Sequence, residues 1–235
     1  MLNKIAGHVR RCIDDYDMIE QDEEIALGVS GGKDSLALLC AMTSLKKYHP
    51  KKFTLHAVTL DMGLKDMDFL PIADLCKKLD VQHTIKQTDI GRIVFDERKE
   101  PNPCSLCAKM RRAALCSMVT ELGIKKIALA HHHDDAIETF LLSLLYEGRL
   151  HCFQPVTYLD RTDVTQIRPM LYVEEKAIIN YVEKQKLTIV HNTCPMNGVS
   201  KREEIKTLLK TLSLEHKDIK TKIFGAIQRL PIEGW

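Results

Sequence analysis

The first apolar run of the chain leads into a glycine-rich loop, and that loop leads into a second apolar segment long enough to form a buried helix. The run occupies residues 24–29 (EIALGV), the loop residues 30–35 (SGGKDS) and the helical segment residues 36–45 (LALLCAMTSL). A strand, a tight loop and a helix in this order are the first part of a βαβ unit, whose strands are parallel. The sequence therefore predicts a fold of the α/β class.

The same alternation continues through the rest of the chain. We predict further strands at residues 53–60, 81–85, 125–130 and 188–190, and further helices at residues 67–79, 108–122, 134–146, 174–184 and 201–212. Alternating strands and helices form a mainly parallel sheet with helices on both faces. Ligands bind such a sheet beyond the carboxyl ends of its strands, so the chemistry is expected just after residues 29, 60 and 130.

The composition fits an ordered globular chain. Hydrophobic residues make up 45% and charged residues 28% of the 235 residues, which is close to ordinary soluble proteins. We expect a single domain over residues 1–235, with a short N-terminal helical segment at about residues 1–20 and a C-terminal helical extension at about residues 200–235. The first 20 residues lack the apolar run of a signal peptide, and no uncharged stretch of about 18 residues follows. We therefore expect a cytoplasmic protein with no membrane partner.

The glycine-rich loop has the composition of a phosphate-binding site. Its position before a helix leaves backbone N–H groups and the positive end of the helix dipole free to bind an anion. Glycines let the backbone approach a ligand closely, serine and lysine side chains donate to phosphate oxygens, and an aspartate can hold Mg²⁺. The loop does not have the Walker A spacing. The predicted nucleotide-binding residues are Ser30, Gly31, Gly32, Lys33, Asp34 and Ser35.

Two further polar segments follow predicted strands and should reach the same edge of the sheet. Asp61 comes after the second strand, and residues 130–135 (AHHHDD) follow a later one. Consecutive side chains point in different directions and seldom converge on one metal ion, so a polar turn that faces the nucleotide is the favoured interpretation of the histidines. The candidate catalytic residues are Asp34, Asp61, His131, His132, Asp134 and Asp135, with Asp61 and His131 also candidates for nucleotide binding.

Eight cysteines in a chain expected to be cytoplasmic favour metal binding or catalysis over disulfides. Cys104 and Cys107 are three residues apart at the start of a predicted helix, and Cys194 follows a later predicted strand. These three could hold a [4Fe–4S] cluster with one open iron, or His191 could join them in a Cys₃His zinc site, or the pair could be redox-inert. No role is expected for the others, which are Cys12, Cys40, Cys76, Cys116 and Cys152.

The loop SGGKDS resembles that of the PP-loop ATP pyrophosphatases. Together with PCSLC at residues 103–107, HHHDDAIET at 131–139, IRPM at 167–170 and the later Cys194, it is similar to the tRNA 2-thiocytidine synthetase family. The resemblance implies that the loop grips the β- and γ-phosphates of ATP and that the acceptor attacks the α-phosphate. It also implies that Cys104, Cys107 and Cys194 bind a [4Fe–4S] cluster that delivers sulfur, and that the histidines and aspartates lie near ATP or the activated base.

The expected function is ATP-dependent thiolation of a tRNA cytidine at C2. The expected cofactors are ATP, Mg²⁺ and a [4Fe–4S] cluster, with Zn²⁺ as the alternative metal. The expected partners are tRNA and a sulfur donor such as a cysteine desulfurase or sulfide, and the oligomeric state is left open, with a homodimer as one option. The alternatives are a PP-loop ligase or thiolase acting on another base or a small molecule with a zinc site, and a non-catalytic nucleotide or iron sensor.

Composition alone leaves RNA binding open, since the net charge is only +2. Basic residues near the cysteine pair and along the last helices could contact RNA phosphates or could form an ordinary solvated helix face. They are Lys109, Arg111, Arg112, Lys201, Arg202, Lys206, Lys210, Lys217, Lys220 and Lys222.

Overall fold

The computed structural model describes residues 2–99, 102–196 and 201–229. Within these ranges one sheet has six strands in the order β3-β2-β1-β4-β6-β5. Five strands are parallel, and β5 pairs antiparallel with β6. The predicted mainly parallel α/β sheet is confirmed. The strands are β1 (Glu23–Gly28), β2 (Phe53–Asp61), β3 (Gln82–Gln87), β4 (Lys126–Ala128), β5 (Val156–Leu159) and β6 (Val164–Ile167).

Helices connect and cover these strands. A π-helical turn at Ile93–Arg98 extends the short α4. The helices are α1 (Leu2–Asp15), α2 (Lys33–Lys46), α3 (Leu70–Lys78), α4 (Ile90–Arg92), α5 (Pro103–Glu121), α6 (His133–Glu147), α7 (Glu175–Gln185), α8 (Lys201–Glu215) and α9 (Ile219–Arg229). Of the predicted C-terminal extension, residues 200 and 230–235 lie outside the described residues, as does residue 1 of the N-terminal segment.

The central strand β1 is buried on both faces because its alternate side chains enter two different cores. Ile25 and Leu27 join the larger core with residues of α1, α2 and α7. Ala26 points the other way, into a smaller core that includes Met118 and Val119 of α5. Successive side chains of a strand face opposite sides of its sheet, which explains why this strand reads as a continuous apolar run.

The prediction of a strand at residues 188–190 is wrong. These residues have no regular secondary structure, and the N–H of Val190 donates to the carbonyl oxygen of Gly31 at 3.0 Å. The segment therefore packs on the phosphate loop instead of joining the sheet. The chain also forms an antiparallel hairpin, β5 and β6, that was not predicted, and its turn includes Asp163 with a φ of +51°.

Among the helices of the described residues, none is both long and apolar enough to cross a membrane.

Candidate active site

The phosphate loop lies between the end of β1 and the start of α2, and its two serines fix its shape. The hydroxyl of Ser35 donates to the carbonyl of Gly32 at 2.9 Å and accepts from the N–H of Ser30 at 3.2 Å. The two hydroxyl oxygens are 3.3 Å apart. The N-cap residue of α2 is Gly32, which has no side chain to cap the helix. The N–H groups of the first turn therefore face the position where an anion would bind.

Gly31 is the residue of this loop that cannot carry a side chain. Its φ of +83° lies in the left-handed region, and an added Cβ would stand 2.4 Å from Cγ2 of Val190. Gly32 differs, because the nearest atom to an added Cβ is 3.6 Å away and its φ is −72°. Gly31 thus serves both the turn and the close packing of the 190–194 segment against the loop.

Lys33 is held between two carboxylates at the start of α2. Its Nζ lies 2.9 Å from Asp34 and 2.9 Å from Oε1 of Glu175 on α7. Burial opposes the charge of Lys33, yet the two carboxylates outweigh it and raise the pKa of the ammonium. The pKa of Glu175 is lowered in turn, because Lys33 outweighs the cost of burial. A fixed positive charge therefore stands beside the loop, as phosphate binding requires.

His132 connects the loop to the first turn of α6. Its Nε2 lies 3.5 Å from Oδ1 of Asp34 and 3.4 Å from Oδ2 of Asp135, and the side chain is buried. The backbone N–H of His132 donates to the same Asp135 oxygen at 3.0 Å. The predicted residues Asp34, His132 and Asp135 are thus neighbours in the fold although about 100 residues separate them in sequence.

His131 lies in a more apolar environment. Its ring centroid is 4.9 Å from that of Phe153, and the guanidinium of the buried Arg168 stands 5.1 Å from the same Phe153 ring. Burial, helped by the charge of Arg168, lowers the pKa of His131 to about 4. The imidazole of His131 is therefore neutral at neutral pH and can accept a proton or a hydrogen bond.

Asp134 points to the other side of α6, where both of its oxygens are paired. Oδ2 accepts from the N–H of Glu175 at 2.8 Å, and Oδ1 lies 2.5 Å from Nζ of Lys220. Burial would raise the pKa of Asp134, but these two donors outweigh it and lower the pKa. Asp134 is thus ionised and links α6 to both α7 and α9.

Asp61 ends β2 as predicted, at the carboxyl edge of the sheet. Its Oδ1 accepts from the N–H of Gly63 at 2.9 Å. The φ of Gly63 is +70°, and an added Cβ would lie 2.8 Å from the carbonyl oxygen of Thr88. The side chain of Asp61 therefore shapes the turn after β2, and its proposed contact with the nucleotide stays a prediction.

Accessibility divides the eight cysteines into two groups. Cys12, Cys40, Cys76, Cys116 and Cys152 are buried, whereas Cys104 is exposed and Cys107 and Cys194 are half-buried. Burial raises the pKa of Cys12 and Cys152 to about 12 and that of Cys76 to about 11, so these thiols stay protonated. The three accessible cysteines are the ones that the sequence predicts as metal ligands.

The accessible thiols are close enough to influence one another. Burial raises the pKa of Cys107, Arg111 lowers it, and the neighbouring Cys194 and Cys104 raise it further. Within the described ranges, however, no three His, Cys, Asp or Glu side chains already form a closed ligand set. A shared metal would therefore require these side chains to reorient, and thiolates that repel one another would gain from a cation between them.

The segment that carries Cys194 is attached to the sheet edge at several points. Val190 bonds to the phosphate loop, the hydroxyl of Thr193 donates to the carbonyl of Lys65 at 2.9 Å, and the N–H of Cys194 donates to Asn192 at 3.0 Å. Cys194 thus returns to the edge that holds the loop, although the strand expected to bring it there does not exist.

The basic residues of the last helices are mostly paired with carboxylates of the chain. Lys201 bonds to Glu204, Lys206 to Glu203 and Lys222 to Asp218, each on its own helix or just before it. Arg202 and Lys220 instead point towards the acidic residues of α6. Sequence reasoning named these two cations only as possible RNA contacts and did not name Glu175, because their partners are distant in the chain.

The fold and the loop together define a PP-loop protein. The family model described as the PP-loop domain matches residues 1–211. The chain is 34% identical over 227 residues to the tRNA-cytidine(32) 2-sulfurtransferase of Geobacter sulfurreducens, covering 95% of this chain and 88% of that protein. It is 36% identical over 234 residues to the enzyme of the same name from Aliivibrio fischeri, covering 97% and 76%. The chain belongs to the tRNA-cytidine(32) 2-sulfurtransferase family of PP-loop proteins.

A solved structure shares the fold. The U34-tRNA thiolase NcsA of Methanococcus maripaludis, solved with its [4Fe–4S] cluster, superposes with a TM-score of 0.79 at 23% sequence identity. The match covers 99% of this chain and 81% of that one. At this level of identity the likeness establishes the architecture, and the family assignment follows from the sequence relatives.

Proposed function

We propose that the chain is an ATP-dependent tRNA thiolase that converts a cytidine to 2-thiocytidine, at position 32 as the names of its relatives indicate. One observation carries the proposal. The segment with Cys194 packs directly on the phosphate loop, since the N–H of Val190 donates to the carbonyl oxygen of Gly31 at 3.0 Å. The predicted nucleotide site and the predicted sulfur-delivering cysteines therefore share one edge of the sheet.

The first chemical step is activation of the base by ATP. The loop of residues 30–35 binds the β- and γ-phosphates, Lys33 offsets their charge, and Asp34 is the candidate ligand of Mg²⁺. The O2 oxygen of the cytidine attacks the α-phosphorus, an O–P bond forms, and the bond to pyrophosphate breaks. A poor leaving oxygen thereby becomes part of AMP, which leaves readily.

The second step replaces that oxygen with sulfur. A C2–S bond forms, the C2–O bond breaks, and AMP departs with the oxygen. The residues that would hold a [4Fe–4S] cluster are Cys104, Cys107 and Cys194, whose soft thiolate donors and accessibility suit such a cluster. When bound with one iron free of protein ligands, the cluster would keep a sulfur atom close to the activated carbon. Free sulfide is the proposed source of that sulfur, or a cysteine desulfurase whose persulfide sulfur is reduced to the sulfide level by an external thiol reductant that supplies two electrons.

The polar residues of α6 orient the reacting groups in this proposal. His132 contacts both Asp34, the candidate Mg²⁺ ligand, and Asp135 in the first turn of α6, and so connects the two. His131, which is neutral at neutral pH because burial lowers its pKa to about 4, would accept a hydrogen bond from the base or from the incoming sulfur nucleophile. A cytoplasmic location completes the proposal, and the oligomeric state is left open, with a homodimer as one option.

The test is a reconstituted reaction. Protein purified without oxygen is incubated with unmodified tRNA, ATP, Mg²⁺ and sulfide, and the digested tRNA is analysed for 2-thiocytidine by mass spectrometry. We expect 2-thiocytidine in step with AMP release, and about four iron and four sulfide per chain in the starting protein. An Asp34→Asn variant, which keeps the size of the side chain, should lose turnover.

Two outcomes would contradict the proposal in different ways. Zinc without iron, together with AMP release but no thiolated base, would favour a PP-loop ligase with a Cys₃His site. ATP binding without any AMP release by the iron-containing protein would favour a nucleotide or iron sensor.

A further inference from the structure

The first two turns of α6 bury acidic groups whose cationic partners come from other helices. Asp134 is 4% exposed and Glu138 is 3% exposed. A buried carboxylate without a partner either becomes protonated or costs several kcal/mol. The cations that pair with these groups come from α8 and α9, at the far end of the chain.

Arg202 of α8 donates hydrogen bonds to two carboxylates and to one hydroxyl. Its NH1 lies 3.3 Å from Oδ1 of Asp135 and 3.0 Å from Oε2 of Glu138, and its NH2 lies 3.2 Å from the hydroxyl of Thr139. The other oxygen of Asp135 accepts the N–H of His132. Asp135 is therefore fixed from both sides, and its Oδ2 also lies 3.4 Å from Nε2 of His132.

The helix α9 contacts the same turn at two points on one face. Nζ of Lys220 lies 2.5 Å from Oδ1 of Asp134, and the ring of Phe224 lies 4.3 Å from that of His133. Residues four apart share a face of a helix, so both contacts arise from a single docking of α9. The match to the PP-loop domain model ends at residue 211, so α9 lies beyond the part of the chain that this model matches.

We propose that α8 and α9 complete the active site, with Arg202 and Lys220 acting as positioning residues that fix the carboxylates of Asp135 and Asp134. The inference rests on the proposed function, since it assigns these carboxylates a part in that reaction. Neither cation is a ligand of the substrate in this proposal. Each acts through the carboxylate that it holds.

Lys220 has a path to the phosphate loop through three short contacts. It binds Asp134, whose second oxygen accepts the first N–H of α7 at Glu175, and the side chain of Glu175 binds Lys33. Releasing Asp134 would therefore loosen the start of α7 and with it the partner of the loop lysine. The consequence should reach ATP binding and not only the base that is modified.

The experiment compares three variants of the full chain. Lys220→Met removes the charge but keeps most of the length, and Lys220→Arg keeps the charge. Lys222→Met is the matched control, since Lys222 lies on the same helix and pairs with exposed Asp218 at 2.9 Å. The first readout is the pH dependence of 2-thiocytidine formation, and the second is the urea midpoint of unfolding at several pH values, which needs no activity.

The pH dependence separates positioning from simple stabilisation. The charged and titratable groups around Asp134 are Lys220 from α9, His132 and His133 beside it, and Glu175 of α7 through its backbone. Without Lys220, burial should raise the pKa of Asp134. The acid limb of the rate profile would then move to higher pH, whereas a purely structural loss would lower the rate equally at every pH.

We expect Lys220→Met to lower the neutral rate by about 10- to 100-fold, as the loss of a partner that orients an active-site ligand does elsewhere. Its urea midpoint should fall below that of the wild type at roughly pH 7 and approach it as Asp134 becomes protonated on acidification. Lys220→Arg should restore both measures.

If Lys220→Met matches Lys222→Met in rate profile and midpoint, the positioning role is wrong. If the wild type makes no 2-thiocytidine but the midpoints behave as expected, the proposed function fails and the ion pair stands.

Discussion

The two halves of the candidate site are held together in different ways. In the nucleotide half, polar and charged side chains at the starts of three helices, α2, α6 and α7, contact one another: Lys33 lies between Asp34 and Glu175, and His132 lies within 3.5 Å of Asp34 and Asp135. In the cysteine half, the contacts found near the thiols within the described residues are hydrogen bonds of the backbone, such as those from Cys194 to Asn192 and from Ser105 to Asn102.

The difference shows which half the chain can order by itself. Opposite charges at the loop attract, so the folded protein fixes them before any ligand arrives. Thiolates repel one another, and the three accessible cysteines need a shared cation to draw them together. We therefore infer that ATP binding depends on the fold alone, whereas order in the cysteine half depends on metal.

The largest effect expected from this comparison is that of Cys194→Ala. The variant should lose its iron and all 2-thiocytidine formation, because a cluster left with two protein ligands is not retained. ATP binding, measured by calorimetry, should stay within about twofold of the wild type, which is less than half a kcal/mol. The two measurements together test whether the halves are independent.

Cys116→Ala is the control for this prediction, since Cys116 is on α5, the helix that carries Cys104 and Cys107, but is buried. It should keep its iron while losing some stability through the small cavity. Loss of ATP binding in Cys194→Ala would contradict the independence of the two halves, since the segment that carries Cys194 would then be needed to hold the phosphate loop.

Gly31→Ala should have the next largest effect, and it acts on the junction of the two halves. The positive φ and the 2.4 Å approach of Val190 force either the loop or the 190–194 segment to move. Strain of this kind costs about 1–3 kcal/mol, so ATP affinity should fall by about tenfold or more. Calorimetry with ATP and Mg²⁺ provides the measurement.

Gly32→Ala provides the comparison for that variant within the same loop. Its ordinary φ and open surroundings predict a change in affinity of less than about threefold, or roughly 0.6 kcal/mol. Equal losses in the two variants would show that the loop needs glycine for contact with the ligand and not for its packing on Val190.

The fold was predictable from sequence where local patterns decide it. Apolar runs alternate with helical segments, and a glycine-rich loop at the first junction fixes the parallel arrangement. Residues 188–190 show where such reasoning ends, because three β-branched residues (TIV) look the same in a strand and in a segment without regular structure that packs on a loop. The hairpin of β5 and β6 was not predicted, because each of its strands has only four residues and carries polar side chains, so neither forms a clear apolar run.

The site shows the same division between local and distant information. Sequence motifs identify Asp34, His132 and Asp135 as candidate site residues, and in the structure these three side chains are neighbours. Their roles and those of the three cysteines stay predictions. The sequence does not reveal the contact of Glu175 with Asp134 or that of Lys220 with Asp134, because the partners are 41 and 86 residues apart in the chain. A charge in an amphipathic helix does not reveal whether it faces water or a buried carboxylate.

The smallest effect concerns His131 and the pH dependence of stability. Its pKa is about 4 in the folded protein, below the ordinary histidine value of about 6.5 in the unfolded chain. The unfolded chain therefore binds the proton more tightly, so the free energy of unfolding should decline as pH falls from about 6.5 towards 4. One such group contributes a slope of about 1 kcal/mol per pH unit, which urea unfolding at several pH values can measure.

Replacing His131 by Asn should flatten that slope, while His151→Asn, at an exposed histidine, should leave it unchanged. His133, whose pKa burial also lowers, should account for part of the slope that remains. A slope that is unaffected by His131→Asn would mean that the pKa of His131 is the same in the folded and in the unfolded protein. The charge of Asp135, which favours the protonated imidazole, would then offset the effect of burial and of Arg168 in full.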